Sequence, residues 1–234
     1  MTLTSVTGPM AFPHPIRAVV FDMDGLLVDT EVMIRDLMIK AALARGAHLP
    51  FEVFMRMVGL PDEASNAVAR AHFGDDFPLA YLHAEVSAGA RAACELGVAL
   101  KAGVIELLDH LDAARIPRAI CTSSSHSAVQ RTLGPSGIIP RFDAIVAAGD
   151  YPRGKPKPDP FLTAAARLGV PPENCLALED SHNGVRAAHA AGMMTVMVPD
   201  LLEATDEMRE KCHAIAESLH HVRDMIDARA TAGA

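Results

Sequence analysis

Five short runs of apolar and β-branched residues, at 16–22, 117–122, 142–147, 175–179 and 194–198, constrain the fold of this chain more than any other feature. Each has the length of a buried strand and is far too short to span a membrane. Between the later runs lie amphipathic stretches with apolar residues three and four apart: Val104, Leu107, Leu108 and Leu111, then Phe161, Leu162, Ala165 and Leu168, then Val185, Ala188 and Ala191. Strand followed by helix, repeated, implies crossover units and a parallel sheet covered on both faces. Ligands of such sheets bind beyond the C-terminal strand ends.

Residues 32–96 break that rhythm, with helical periodicity and no strand signal. Met33, Leu37, Ile39 and Leu43 fit one helix ending near Gly46, and 51–58, 62–73 and 77–95 suggest three more. The predicted architecture is α/β: a Rossmann-like parallel sheet core at 16–31 and 97–234, an inserted α-helical cap domain at 32–96, and a flexible N-terminal leader at 1–15. An elaborated crossover within one domain would give the same pattern. The leader has three prolines and lacks the basic, apolar and cleavage regions of a signal peptide.

Partners are narrowed by charge. A formal charge of −8 argues against nucleic acid or an anionic membrane, since both need basic surface to displace counterions. No apolar run approaches the roughly 20 residues of a membrane helix. Cys94, Cys121, Cys175 and Cys212 are widely spaced with no zinc-site or C-x-x-C pattern, and read as reduced thiols in a cytoplasmic protein. The chain is expected to act as a monomer or weak dimer.

Polar residues with chemical potential gather where the strands end. Asp22 and Asp24, at the end of the first run, can project to one side of a turn that Gly25 lets leave steeply. Two carboxylates there make a hard-oxygen site suited to Mg²⁺, although Asp-x-Asp-Gly alone equally fits Asx turns. Thr122, followed by Ser123, is placed to cap a helix or to bind phosphate oxygens with the free N–H groups of the helix start. Lys155 stands in GKPKPDPF, between prolines that stiffen the backbone, and a lone lysine there fits a solvated surface group equally. Glu179 and Asp180 end another run, where adjacent acids also favour a helix N-terminus through its dipole.

The string FDMDGLLVDTE at 21–31 resembles the first signature of the haloacid dehalogenase-like superfamily, in the branch of the β-phosphoglucomutases and pseudouridine-5′-phosphatases. The other elements follow in the family's order. The resemblance covers residue 16 to about 219, and Ala102-Gly103 departs from the family's common Pro-Gly. It implies that Asp22 is a nucleophile forming an aspartyl-phosphate and Asp24 a general acid and base. Thr122, Ser123 and Lys155 would hold the phosphoryl group, and Asp22, Asp24, Glu179 and Asp180 a Mg²⁺ ion, with Glu179 either a ligand or an orienter.

Three activities fit that reading: a Mg-dependent phosphatase acting on a small phosphorylated metabolite (a sugar or nucleoside phosphate), a β-phosphoglucomutase-like sugar phosphomutase, and a regulator without catalysis. All the motif residues are present, which speaks against the regulator. The mutases place a histidine and a lysine where Ile34 and Ser125 stand here, which favours the phosphatase. Arg35, Arg56 and Asp62 are the cap's candidates for substrate contact.

Overall fold

The computed structural model describes residues 12–58, 60 and 62–232, so residues 1–11 of the predicted leader lie outside the described residues. Strand β1 (Ala18–Phe21) is followed by helices α1 (Thr30–Leu43), α2 (Phe51–Met55), α3 (Asp62–Phe73) and α4 (Leu79–Leu96). Then come α5 (Val104–Ala114), β2 (Arg118–Ser125), α6 (His126–Leu133), β3 (Ala144–Ala148), α7 (Asp159–Leu168), β4 (Cys175–Glu179), α8 (His182–Ala190), β5 (Met194–Met197), α9 (Asp206–Lys211), β6 (Ala214–Ile215) and α10 (Leu219–Ala232). The strands form one parallel sheet in the order β3-β2-β1-β4-β5-β6. Because the chain leaves β1 toward β2 on one side and β4 lies on the other, a crevice opens at the C-terminal ends of these three strands.

The uniformly apolar strands follow from burial on both faces. Successive side chains alternate: Ala18, Val20, Ala119, Cys121, Cys175 and Ala177 face α7 and α8. Val19, Phe21, Ile120, Leu176 and Leu178 face α5, α6 and α10. The first face is built of small residues, which lets α7 and α8 lie close to the sheet; Phe161, Ala164, Ala187 and Ala188 fill the layer. The second face is bulky, with Leu107, Leu108, Leu111, Val129, Leu133, Val222 and Ile226.

Helices α1 to α4 carry their own apolar cluster, including Met38, Leu49, Phe54, Leu79 and Leu82. The chain enters and leaves this helical unit at one place. Val28 and Leu100 form an antiparallel bridge, flanked by hydrogen bonds from the Asp29 amide to the Ala99 carbonyl (3.1 Å) and from the Lys101 amide to the Leu27 carbonyl (3.0 Å). Lys101 Nζ also donates to Asp200 Oδ1 of the core at 2.5 Å.

Three features depart from the sequence reading. Phe12, within the span read as leader, is buried against the core and faces the His213 ring, so the chain is anchored from that point. Strand β2 continues to Ser125 where 117–122 was expected, and Ser125, whose side chain accepts from the Ala128 amide at 3.3 Å, caps α6. Helix α10 follows where the sequence reading placed no element, and it buries Leu219, Val222 and Ile226. Among the described residues no helix is long and apolar enough to cross a membrane.

Candidate active site

Asp22 follows β1, fixed by its amide donating to the Leu178 carbonyl of β4 at 3.0 Å. β4 ends in Glu179, which is wholly buried, and Asp180 comes next. Carboxylate oxygens of Asp22, Glu179 and Asp180 all lie within 4.8 Å of one another. Lys155 arrives from the loop before α7, and its ammonium donates to Asp22 Oδ1 (2.5 Å), Glu179 Oε1 (2.5 Å) and the Cys121 carbonyl (2.9 Å). With its side chain only 6 % exposed, this lysine is a built part of the site and not a solvated surface group. Burial alone would lower its pKa, but the charges of Asp22 and Glu179 outweigh that and hold it well above the ordinary value.

The carboxyls respond in the opposite sense. Burial pushes Asp22 up to about 8, against the lowering effect of Lys155 and with further raising from Glu179 and Asp24. Burial, followed by the charges of Asp22 and Glu179, likewise raises Asp180 well above its usual range. One ammonium does not balance three carboxylates, and burial weighs against the charged forms of Asp22 and Asp180. A divalent cation with oxygen ligands fits such a set: the donors are all hard oxygen and the charge deficit has the right sign.

Asp24 lies outside this trio of side chains. Its Oδ1 accepts from Thr30 Oγ1 at 3.1 Å and its Oδ2 from Ser124 Oγ at 2.9 Å. Burial raises its pKa, with Ser124 and Thr30 partly offsetting the effect, so a proton resides there more readily than on a free aspartate. Thr122 is buried; its Oγ1 accepts from the Ser124 amide at 3.0 Å and its carbonyl from the Tyr151 hydroxyl at 3.0 Å. Ser123, by contrast, is exposed toward the cleft.

Two glycines are required by close approach. Gly25 has φ of +83°, and a Cβ there would come within 2.3 Å of Asp180 Oδ2. Gly184, in the first turn of α8, lies flat against Glu179, whose carboxylate would be about 2 Å from any Cβ. Glu179 Oε2 also accepts from the Ser181 amide (3.2 Å) and hydroxyl (3.0 Å), and the Ser181 hydroxyl accepts from the Gly184 amide (3.1 Å). Gly184→Ala must therefore displace Glu179 and loosen Lys155. The expected cost is about 2–4 kcal/mol of stability, read by urea unfolding, together with a fall in turnover. An unchanged midpoint would mean that the carboxylate is not held by this contact.

Asp22, Asp24, Thr122, Ser123, Lys155, Asp180 and Ser181 border one cleft of about 610 Å³, lined also by Glu31, Val58, Leu60, Asn183, Arg186 and Leu202. Comparison with known proteins gives the constellation its relatives. The sequence profile of the haloacid dehalogenase-like hydrolases matches residues 16–192. The chain belongs to that family. It is 37 % identical over 190 residues to a protein named as a pseudouridine-5′-phosphatase in Drosophila melanogaster, covering 77 % of this chain and 80 % of the relative. It is 31 % identical to a fructose-1-phosphate phosphatase of Escherichia coli, over 76 % of this chain and 94 % of the relative. A haloacid dehalogenase family hydrolase from Deinococcus radiodurans, crystallised with phosphate and sodium, superposes with a TM-score of 0.76 at 29 % identity, covering 94 % of this chain and 97 % of that one.

In this haloacid dehalogenase-like hydrolase the cap candidates fare differently from the core ones. Arg35 turns to Asp36 at 2.8 Å, and Arg56 is exposed away from the cleft lining. The Asp62 side chain lies outside the described residues. Val58 and Leu60 supply the cap's part of the wall instead. Glu31, Arg186 and Leu202 carried no distinguishing sequence signal: Glu31 was read only as part of a family string, and Arg186 and Leu202 were not singled out.

Proposed function

We propose that this protein is a Mg²⁺-dependent phosphatase that hydrolyses a small phosphomonoester, a sugar or nucleoside phosphate, through an aspartyl-phosphate on Asp22. The observation that carries the reading is Lys155 bridging Asp22 and Glu179 inside a cleft whose other wall holds Asp24, its two carboxylate oxygens each fixed by a hydroxyl. Asp22 presents a carboxylate oxygen to phosphorus while Lys155 and Thr122 offset the charge on the phosphoryl oxygens. Asp24 gives its proton to the leaving oxygen, then takes one from the water that opens the acyl phosphate. Thr30 and Ser124 keep its carboxyl aimed through both steps. Mg²⁺, held by Asp22 and Asp180 with Glu179 positioning Lys155 and the ligands, would supply charge neutralisation and in-line orientation.

The assignments of 16–31 and 97–234 as catalytic core and 32–96 as a cap over the cleft belong to the same proposal, as does a cytoplasmic monomer or weak dimer. The four cysteines are free thiols, in keeping with a reducing compartment.

Mg²⁺ should raise the melting temperature, and because metal competes with protons on carboxyls pushed upward by burial, the rise should grow between pH 6 and 8. Ca²⁺, with longer bonds and looser coordination, should bind yet fail to support turnover. Full activity in Ca²⁺, or a pH-independent shift, would contradict the metal's place in the site.

Hydrolysis is favoured over phosphoryl transfer to a second sugar carbon by what occupies the mutases' basic positions. Ile34 packs into the cap's apolar cluster and Ser125 caps α6. The decisive assay supplies β-glucose 1-phosphate with a trace of glucose 1,6-bisphosphate and follows both products. Inorganic phosphate should dominate, and small phosphomonoesters should be hydrolysed without any bisphosphate. Rapid glucose 6-phosphate formation with little phosphate release would overturn the phosphatase reading.

A further inference from the structure

Glu31 is the acidic group of the cleft that the mechanism above leaves without work. It sits in the first turn of α1, half-buried, one residue beyond the Thr30 that holds Asp24. Among the described residues no donor reaches its carboxylate, in contrast to Asp22, Asp24 and Glu179, each of which accepts at least one hydrogen bond. The helix dipole favours a negative charge at this place but leaves its oxygens unsatisfied. A partly desolvated carboxylate without a donor is costly, and a ligand hydroxyl would remove that cost.

Its position is specific. A second cleft of about 380 Å³ opens beside the first, between α1, α4 and α6, and Asp24 and Glu31 are the two residues that line both. Asp24 is the group placed to protonate the leaving oxygen, so the rest of the leaving group must pass Glu31 whichever cleft it enters. On the side of the inserted helices the first cleft is apolar, with Val58 and Leu60, while the second sets Met33 and Ile34 beside Ser87 and Arg91. A carboxylate is acceptor-only, and amid such walls it selects for groups that donate.

We propose that Glu31 is a specificity-determining residue, whose carboxylate accepts hydrogen bonds from hydroxyl groups of the leaving alcohol close to the scissile bond, so that the substrate class is a polyol, sugar or nucleoside phosphate and not a simple alkyl or aryl phosphate. This rests on the phosphatase reading and deepens it.

The test compares glycerol 1-phosphate with n-propyl phosphate, which differ only in two hydroxyls, in the wild type, Glu31→Gln and Glu31→Ala at saturating Mg²⁺. The wild type should prefer glycerol 1-phosphate by about tenfold or more in kcat/KM, the scale of a charge-assisted hydrogen bond. That ratio should collapse to within about twofold in Glu31→Ala, chiefly through KM, and be intermediate in Glu31→Gln, which keeps one acceptor. A wild-type ratio near one, or one that survives Glu31→Ala, overturns the assignment. So does an effect confined to the Mg²⁺ concentration needed for activity, which would make Glu31 a support for the metal. Phosphate release by the wild type from glycerol 1-phosphate and a panel of sugar and nucleoside phosphates reports the phosphatase reading separately: if none is hydrolysed, that reading falls and this one with it, whereas hydrolysis with an unmoved ratio removes only Glu31.

Discussion

Asp22→Asn is expected to abolish turnover, by at least about four orders of magnitude, while the protein folds as before. The amide is nearly isosteric, keeps a carbonyl oxygen toward Lys155 and cannot form an acyl phosphate. The sign of its effect on stability also follows. Burial raises the Asp22 carboxyl to about 8 from an ordinary value of 3.8, so its ionisation opposes folding increasingly as pH rises across that window. Removing the group should leave the metal-free protein as stable at pH 7 or more so, and should largely abolish the Mg²⁺-induced rise in melting temperature. Phosphate release under single-turnover conditions and a melting curve decide the matter. Residual activity of a few per cent in a clean preparation would remove Asp22 from its role.

Lys155→Met is expected to strike both stability and chemistry. Methionine reproduces the length of the side chain without the charge, leaving Asp22 and Glu179 buried beside each other with no ammonium between them. Breaking a buried pair by removing one partner costs about 3–5 kcal/mol. The cost here falls on two carboxylates, so the upper part of that range is expected in metal-free buffer, with partial recovery on adding Mg²⁺. Turnover should fall by about a thousandfold, since the cation facing the phosphoryl oxygens is gone. Urea unfolding with and without Mg²⁺, beside kcat at saturating substrate, tests both parts. A variant as stable as the wild type and within tenfold of its activity would make Lys155 a bystander.

Much of the proposed catalytic corner was legible in the sequence because Asp22, Thr122 and Glu179 each stand at the end of a short apolar run. Asp22 after β1, Thr122 within β2 and Glu179 at the end of β4 are brought together by strand order alone. Lys155 needed more than pattern: only the packing of α7 on the small-residue face of the sheet brings the preceding loop to Asp22. What escaped reading did so for physical reasons. β6 has two residues, Ala214 and Ile215, too few for any periodicity. Helix α10 hides three core residues, Leu219, Val222 and Ile226, in a polar and alanine-rich context. Glu31 differs from any exposed first-turn glutamate only in what surrounds it in space.

The paired crossing at Val28 and Leu100 has a consequence for how such a chain can diversify. From the core's side, everything between those residues is a closed loop whose ends are already tied. The entropy of closing a loop grows only with the logarithm of its length, by about 0.6 kcal/mol per doubling. Segments longer or shorter than the helical stretch present here could therefore be grafted between 32 and 99, leaving Thr30 and Glu31 beside Asp24, at little thermodynamic cost to the sheet. The chemistry at the strand ends would stay fixed while the surface facing the substrate was rewritten.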